Sequence, residues 1–319
     1  MASKVELDHV VAAAARIEGS VVRTPLIETT IFSRKLWLKC ENLQTGGAFK
    51  LRGATNRLLQ LDDAERARGV VAFSSGNHAQ GVAIAARRLG IPAVIVMPAD
   101  APALKIEGTR AQGAEIIFYD RMTESREEIS AKISAETGAV VVPSFDDPAI
   151  VAGQGTVGLE ILAQVEQAGA NPPAAIAVPV GGGGLAAGIA IACPKAMIFG
   201  VEPEGWDDMA NSLECGSIVP VGPNPPATLC DALQTPRVSP ITFDILRHRS
   251  AWMTSVDDSQ VAAAIRWAYD SHELVVEPGG AVALAAVLAG KVESPEGSVI
   301  ILSGGNIDPA LHARLVRQN

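Results

Sequence analysis

The sequence predicts an α/β protein with two open, mainly parallel twisted sheets flanked by helices. Short apolar runs alternate with helical patterns along most of the 319 residues, as expected for parallel strands joined by helices. The most glycine-rich and polar loops each follow an apolar run, which is where such folds bind ligands. With 48% hydrophobic and 19% charged residues, the chain has the composition of a compact globular protein rather than a disordered one.

The first alternating series lies between residues 69 and 143 and predicts one of the two sheets. Its predicted strands are 69–75, 92–98, 114–120 and 139–143, and its predicted helices are 78–90, 103–113 and 124–138. Gly90 and Gly138 end two of these helices, a frequent position for glycine.

The second series predicts the other sheet. Its predicted strands are 174–180, 196–203 and 297–305, and its predicted helices are 153–169, one entered from 181–184, 257–271 and 279–290. No low-complexity linker and no internal repeat separates the two series.

Charge and composition exclude several classes of function. The formal charge is −9 and no stripe of lysine or arginine is present, so a nucleic-acid partner is not expected. The four cysteines are scattered without a C-x-x-C pair, as in a protein of a reducing compartment. The N-terminal segment lacks the basic region of a signal peptide, and the apolar runs are too short to cross a bilayer. We therefore expect a soluble, cytoplasmic protein with no membrane partner.

A run of four glycines, Gly181 to Gly184 in "VPVGGGGLAAG", predicts a phosphate-binding loop. It follows a predicted strand and opens a helix, so that backbone N–H groups and the helix dipole favour an anion. The same loop fits a dinucleotide fingerprint, with Gly181, Gly183 and Ala186 in G-x-G-x-x-A and Glu202 about 20 residues later as the ribose ligand. That alternative leaves Lys50, in "GGAFKLRGA", without a role.

Two more loops follow predicted strands. "SSGNHAQG" offers the backbone donors of Ser75, Gly76, Asn77 and His78 at a helix start, which suits a carboxylate. Taken alone, Asn77 is interpreted as an N-cap and the His78 side chain as structural. "SGGN" places Ser303 at the end of the last predicted strand. Two anion sites and a lysine among small and apolar residues suggest a phosphorylated aldehyde held as a Schiff base, of which pyridoxal phosphate is the obvious example.

These motifs resemble, in order, those of the fold-type II pyridoxal-phosphate enzymes, specifically the threonine/serine dehydratase (ammonia-lyase) and serine racemase family. The matching segments are "KCENLQTGGAFKLRGA", "SSGNHAQG", "VAGQGTVGLE", "VGGGGLAAG", "VEPEG" and "SGGN". The resemblance implies a tryptophan synthase β-like fold. Its large domain would comprise 1–59 and 145–319, and its small mobile domain 60–144, without a C-terminal regulatory domain. A homodimer is also implied.

The resemblance assigns the cofactor contacts. Lys50 is expected to carry pyridoxal phosphate and then move the Cα proton. Phe49 is expected beside the ring, Asn77 at the ring hydroxyl and Ser303 at the pyridine nitrogen. The phosphate is expected at Gly181, Gly182, Gly183, Gly184 and the amide of Leu185.

The resemblance also suggests substrate and metal contacts. Ser75 matches the serine that handles the proton on the opposite face in racemases, and Arg126 matches an arginine near the substrate carboxylate. Glu202 and Asp208, with a backbone carbonyl near Trp206, match the ligands of a divalent cation (Mg, Mn or Ca) in some members. This would give Glu202 a different role from that of a ribose ligand.

The chain departs from the family pattern in two places. "TTIFSRKLWLKCE" is shorter than the usual family loop, and "LCDALQT" around Asp231 replaces the "ADG" of racemases. A substrate contact from Thr235 is predicted in this second region.

The expected reaction is β-elimination of L-threonine, L-serine or threo-3-hydroxyaspartate to a 2-oxo acid and ammonia. A neutral Ser303 cannot keep the pyridine nitrogen protonated as an aspartate would, which favours elimination over transamination. For the second carboxylate of hydroxyaspartate, Arg126 is the nearest candidate cation. Serine or aspartate racemisation is the alternative within the family, because Ser75 offers a second acid/base group. An NAD-dependent oxidoreductase and a non-catalytic pyridoxal-phosphate-binding protein are the alternatives of other classes.

Overall fold

The computed structural model describes residues 5–74, 76–101, 103–120 and 122–317. The strands are β1 Leu26–Ile31, β2 Arg34–Cys40, β3 Val70–Phe73, β4 Ala93–Pro98, β5 Glu115–Tyr119, β6 Val140–Val141, β7 Ala175–Pro179, β8 Met197–Pro203, β9 Trp252–Val256 and β10 Val299–Leu302. The helices are α1 Leu7–Ile17, α2 Lys50–Leu58, α3 Asp63–Arg68, α4 Asn77–Leu89, α5 Ala103–Arg110, α6 Arg126–Thr137, α7 Pro148–Gln167, α8 Gly184–Ala192, α9 Asp208–Cys215, α10 Pro240–His248, α11 Asp258–His272, α12 Pro278–Leu288 and α13 Pro309–Arg317.

Two sheets organise these elements. The first has six strands in the order β1-β2-β10-β7-β8-β9, and the second has four in the order β5-β4-β3-β6. All neighbouring strands are parallel except β1 and β2, which pair antiparallel. The predicted fold class is confirmed, and the antiparallel β1–β2 pair is a hairpin that the sequence analysis did not predict. The division into domains 1–59 with 145–319 and 60–144 stays a prediction.

The β1–β2 hairpin accounts for the short "TTIFSRKLWLKCE" segment. Phe32 and Ser33 form its two-residue turn, and both have positive φ, 51° and 60°. Turns of this kind match the right-handed twist of the strands they join. The hairpin was missed at the sequence level because Phe32 is an unusual residue for such a turn.

Helix α7 begins five residues before the predicted start at residue 153. Asp147 is the N-cap, and its carboxylate accepts hydrogen bonds from the amides of Ala149 (2.7 Å) and Ile150 (3.0 Å). Pro148 then occupies the first turn, where a missing N–H has no consequence. The Asp-Pro pair is therefore the start signal that the glycine-rich pattern obscured.

Helix α7 packs closely against both α2 and α8. A Cβ atom at Gly153 would lie 2.7 Å from the Cα of Gly53, and one at Gly188 would lie 2.5 Å from the amide nitrogen of Gly155. No side chain fits at these distances, so the glycines allow the helix backbones to touch. One helix thus positions the N-termini of α2 and α8, which carry Lys50 and the glycine loop.

A buried network of four charges joins the same region. Arg52 on α2 bonds to both oxygens of Glu41 at 2.8 Å, and to Glu160 on α7 at 2.6 and 2.9 Å. Lys39 on β2 bonds to Glu160 at 2.6 Å. The side chains of Arg52, Glu41 and Lys39 are fully buried, and that of Glu160 is 17% exposed. Burial opposes the charge on Arg52, but the two carboxylates outweigh it and raise the pKa of the guanidinium.

We expect Arg52→Ala to lower the free energy of unfolding by about 3–5 kcal/mol, because Glu41 would lose its cation inside the protein. Lys35→Ala is the matched control, since it removes only the exposed pair with Glu28 at 3.2 Å. Its effect should stay below about 1 kcal/mol. Chemical denaturation of both variants measures the difference, and similar losses for the two would contradict the prediction.

Candidate active site

One pocket of about 350 Å³ brings together most of the residues singled out from the sequence. Its lining includes Phe49, Lys50, Gly76, Asn77, His78, Arg126, Gly181, Gly182, Gly183, Gly184, Leu185, Thr235 and Ser303. Glu202, Trp206 and Asp208 do not line it. Ser75 lies outside the described residues. The lining segments follow strands of both sheets, as the rule for ligand sites in α/β folds requires.

The glycine loop connects β7 to α8. Gly183 is the N-cap of α8 with φ 84°, in the left-handed region that glycine adopts without strain. A Cβ atom at Gly182 would lie 2.2 Å from the Phe145 ring, so no side chain fits there. The first amides of a helix have no partner within the helix, and the dipole makes this end positive. The loop is therefore a cradle for an anion.

Lys50 is the first residue of α2 and its ammonium points into this pocket. The Nζ atom donates to the carbonyl oxygen of Ser144 at 3.1 Å and lies 5.1 Å from the centre of the Phe49 ring. Burial lowers the pKa of Lys50 to about 8. A large share of neutral amine is thus present at mildly alkaline pH, which a nucleophile or base requires.

The Phe49 and Ser303 segments are held together through their backbones. The amide of Phe49 donates to the carbonyl of Ser303 at 3.2 Å, and the amide of Gly305 donates to the carbonyl of Gly47 at 2.8 Å. Ser303 itself is buried and lines the pocket. The "GGAFK" and "SGGN" segments, about 250 residues apart, therefore form one wall.

Asn77 is not an N-cap, contrary to its interpretation in isolation. Gly76 is the N-cap of α4, and among the described residues no side chain caps this helix. The Asn77 amide instead donates to Glu277 Oε1 at 2.5 Å, while its oxygen accepts from Asn306 at 2.8 Å. These partners orient the Asn77 amide, with its nitrogen toward Glu277 and its oxygen toward Asn306.

Glu277 was missed by sequence reasoning. It is fully buried, lines the pocket, and its Oε2 atom has no hydrogen-bond partner among the described residues. Burial raises the pKa of Glu277 to about 7, against the opposing effects of Lys105 and Asn77. A glutamate directly before Pro278, at the start of a helix, is the only local signal the sequence offered.

The His78 side chain joins α4 to the end of the neighbouring strand. Its Nε2 atom is 2.9 Å from the carbonyl oxygen of Val142, so this nitrogen carries the proton. Burial, together with the positive charge of Lys50, lowers the pKa of His78 to about 3. The imidazole is therefore neutral at physiological pH.

Arg126 and Thr235 both line the pocket. Arg126 is the first residue of α6, pairs with Glu127 at 3.0 Å and stacks 5.5 Å over the Phe73 ring. Thr235 lies at the glycine loop, where its hydroxyl is 3.0 Å from the position of a Cβ at Gly181. Two charged lining residues that no pattern indicated, Lys105 and Asp231, form an ion pair.

The three residues predicted to bind a metal lie apart from the pocket. Both oxygens of Glu202 accept amides of α9, from Met209 and Ala210, each at 2.9 Å. This use leaves Glu202 unavailable as a ribose ligand, against the dinucleotide alternative. The Asp208 carboxylate is buried, and burial raises its pKa to about 7 against the opposing effect of the backbone amides of Asp208 and Val238. The Trp206 ring bonds to the carbonyl of Pro226 at 2.9 Å. Within the described ranges, no group of three His, Cys, Asp or Glu side chains is placed to hold a metal.

Comparisons with known proteins give one consistent result. A family model described as "Pyridoxal-phosphate dependent enzyme" matches residues 17–304. The chain is 43% identical to an L-threo-3-hydroxyaspartate ammonia-lyase of a Pseudomonas species, over 97% of each chain. It is 42% identical to the protein of the same name from Saccharomyces cerevisiae, over 96% of this chain and 95% of that one. Among solved structures, maize serine racemase superposes with a TM-score of 0.91 at 39% identity, over 98% of this chain and 97% of that one.

We expect acylation of Lys50 in the apoprotein, followed by mass spectrometry, to reach half its maximal rate near pH 8. An unperturbed lysine has a pKa of about 10.4. Between about pH 8 and about pH 10.4, Lys50 therefore binds more protons in the unfolded chain than in the folded protein. The contribution of Lys50 to stability therefore rises with pH from about 8 to about 10.4. Lys50→Met, which lacks the labelled amine, identifies the peptide. A half-rate above pH 10 would contradict the prediction.

Proposed function

The chain belongs to the family of pyridoxal-phosphate dependent enzymes, and we propose that it is an ammonia-lyase acting on L-threo-3-hydroxyaspartate. The reaction converts the hydroxy amino acid to a 2-oxo acid and ammonia. The observation that carries the proposal is the pairing of the half-buried Lys50 amine, whose pKa is lowered, with a glycine-lined anion cradle in the same pocket. The two relatives named as ammonia-lyases of this substrate support the choice of reaction.

The residues of the pocket fit pyridoxal phosphate. The cradle at Gly181–Gly184 admits an anion where a Cβ atom would collide with Phe145, and Lys50 offers an amine of lowered pKa. Phe49 provides an apolar ring surface next to that amine. Lys50 and the amides of the loop would hold the cofactor, with Asn77 and Ser303 on its polar edge.

The chain's own groups divide the chemistry between them. When bound, pyridoxal phosphate supplies an aldehyde carbon for amines and a ring that draws electrons from the substrate Cα. Lys50 provides the amine of the resting enzyme, and as a free base it takes the proton from the substrate Cα. The first amides of α4, at Asn77 and His78, hold the substrate carboxylate. Ser303 would offer the cofactor a neutral hydroxyl, which cannot keep the ring nitrogen protonated as an aspartate would, and this would favour loss of the β-hydroxyl over transamination.

The cations in the pocket support this choice of substrate. Lys105, Arg126 and Arg237 line the pocket in addition to Lys50. A serine or threonine substrate has a single carboxylate, which the amides of α4 accommodate. Further cations are useful to a substrate with a second carboxylate, which hydroxyaspartate has.

The family alternative, racemisation, needs a second proton donor on the face opposite Lys50. The sequence offers Ser75 for this role, a residue outside the described part of the chain. Chiral analysis of the amino acid that remains after partial turnover distinguishes the two activities, since a lyase leaves the L-form alone.

We expect the purified protein to show a visible absorption band from its cofactor, which borohydride reduction fixes on the Lys50 peptide. Among L-threo-3-hydroxyaspartate, L-threonine and L-serine, the first should give the highest kcat/KM for formation of 2-oxo acid. Lys50→Ala should remove the band and lower kcat by at least about 10²–10⁴-fold, the usual contribution of an acid/base group.

Lys132→Ala is the matched control, because Lys132 is an exposed lysine on α6. It should retain both the band and the turnover. A protein that stays colourless with added pyridoxal phosphate would overturn the cofactor assignment, and a higher kcat/KM for serine would overturn the substrate.

A homodimer is proposed on an exposed aliphatic patch formed by Val22, Leu43 and Val275, which are 43%, 47% and 42% exposed. The segments that carry them are joined, because Gln44 bonds to the backbone of Val22 and Asn42 bonds to that of Val275. A patch of this kind is typical of a subunit contact.

We expect light scattering to give twice the 33.1 kDa chain mass. Leu43→Asp, which places a charge in the patch, should shift the protein to monomer, while Phe32→Asp in the exposed hairpin turn should not. A wild-type monomer would refute the dimer.

Two further expectations from the resemblance stay predictions. The buried Asp208 carboxylate, with its raised pKa, supports a divalent cation at Glu202 and Asp208, whereas the two amides bound by Glu202 oppose it. The melting temperature measured at increasing calcium or magnesium concentration tests it. A cytoplasmic location is proposed from the four free cysteines, which a thiol titration of the isolated protein tests. No helix among the described residues has the length and apolarity to cross a membrane.

A further inference from the structure

Lys105 and Asp231 form an ion pair across the pocket. Lys105 lies on α5, next to the four-stranded sheet, and Asp231 begins a short turn of 3-10 helix, Asp231–Leu233, that contacts α12 beside the six-stranded sheet. Both side chains line the same pocket as Lys50 and the glycine loop. The pair therefore connects the two halves of the molecule at the site itself.

The burial of Lys105 is unusual for a lysine on a short peripheral helix. Its side chain is only 9% exposed, whereas that of Asp231 is 44% exposed. A buried ammonium is costly unless a carboxylate accompanies it, and lysines are rarely buried without such a partner. Within the described residues, Asp231 is the one carboxylate that forms an ion pair with Lys105.

The Lys105 ammonium faces the turn assigned to the substrate. Its Nζ atom is 3.7 Å from the position of a Cβ at Gly76, the N-cap of α4. Its positive charge also opposes the rise in the pKa of Glu277 that burial causes, so the charge of Lys105 acts inside the pocket. A substrate whose first carboxylate lies on the α4 amides would have its neighbouring groups within reach of this ammonium.

We propose that Lys105 binds the side-chain carboxylate of a dicarboxylic 3-hydroxy amino acid, and that this carboxylate replaces Asp231. The proposal rests on the proposed function above and names the residue that selects its substrate. Exchange of one carboxylate for another keeps the buried ammonium paired throughout. Asp231 is half exposed, so its released carboxylate returns to water without a large desolvation penalty.

Arg126, the candidate from the sequence, is less suited to this role. Glu127 holds its guanidinium at 3.0 Å, Phe73 occupies one face of it, and a third of its side chain is exposed. Lys105 lies in a less solvated position, where a charge interaction is stronger because water screens it less. Arg126 serves as the comparison in the test.

The test compares the wild-type holoenzyme with Lys105→Met, Asp231→Asn and Arg126→Gln. The ratio of kcat/KM for L-threo-3-hydroxyaspartate to kcat/KM for L-serine reports selectivity. Calorimetric titration with succinate, a dicarboxylate that does not react, reports binding without turnover. Lys105→Met should lower the ratio by about 10- to 100-fold, mainly through KM, as loss of a charged hydrogen bond predicts. Asp231→Asn should tighten succinate binding, because the competing carboxylate is gone.

Opposite effects of these two substitutions cannot arise from misfolding, which would weaken both variants. Lys132→Met, an exposed lysine on α6, is the control for a change of charge elsewhere. An equal loss with both substrates in Lys105→Met would overturn the proposal, as would weaker succinate binding in Asp231→Asn. So would loss of the ratio in Arg126→Gln but not in Lys105→Met.

The proposed function and this inference fail in different ways. A wild-type enzyme that uses serine better than hydroxyaspartate refutes the proposed substrate, and the succinate titration then decides on Lys105 alone. Wild-type selectivity that survives Lys105→Met refutes only the role of Lys105.

Discussion

The buried network of Arg52, Glu41, Glu160 and Lys39 is the constraint on which the site depends. It contains two positive and two negative charges, so no net charge is buried, and each member keeps its charge only while its partners stay in place. Arg52 lies two residues after Lys50 on the same helix. The network therefore fixes the rotation and depth of α2 relative to β2 and α7, and with them the position of the reactive amine. Replacement of a single partner would disturb the chemistry as well as the stability.

Close backbone packing supplies the second half of this arrangement. The glycines of α7 allow α2 and α8 to pack closely against it. Helix α7 therefore positions both Lys50 and the glycine loop. Backbone bonds between Phe49 and Ser303 then join the start of α2 to the end of β10. Such contacts are insensitive to side-chain rotamers, which suits a site in which distances between reacting groups must be reproducible.

The sequence predicted the fold class and the convergence of the loops, because both depend on local pattern and on the rule that ligands bind at the carboxyl ends of parallel strands. The interpretation of Asn77 in isolation as an N-cap was wrong, because its amide is used by Glu277 and Asn306 rather than by its own helix. Its contact with the cofactor stays a prediction. Sequence reasoning also missed Glu277 and Lys105, and it gave no role to Asp231. Each is a single charged residue in an ordinary helical or loop context, and its burial arises only when distant segments meet. Pairing between residues far apart in the chain produces no periodic pattern and no compositional bias in the sequence.

The two helix starts that are proposed to bind anions belong to different sheets, and this has a consequence for how ligands act on the molecule. Helix α8 follows β7 of the six-stranded sheet, whereas α4 follows β3 of the four-stranded sheet. A bound molecule with anionic groups at both ends therefore contacts both sheets at once. Since a ligand favours the arrangement to which it binds more tightly, the free energy of binding at either end stabilises the same relative position of the sheets. The bonds from Asn77 to Glu277 and from Lys105 to Asp231 already connect the two sides at this pocket. Exchange of Asp231 for a substrate carboxylate would replace one of these connections with a contact between Lys105 and the substrate. Recognition of the second carboxylate would then be coupled to the distance between the two sheets.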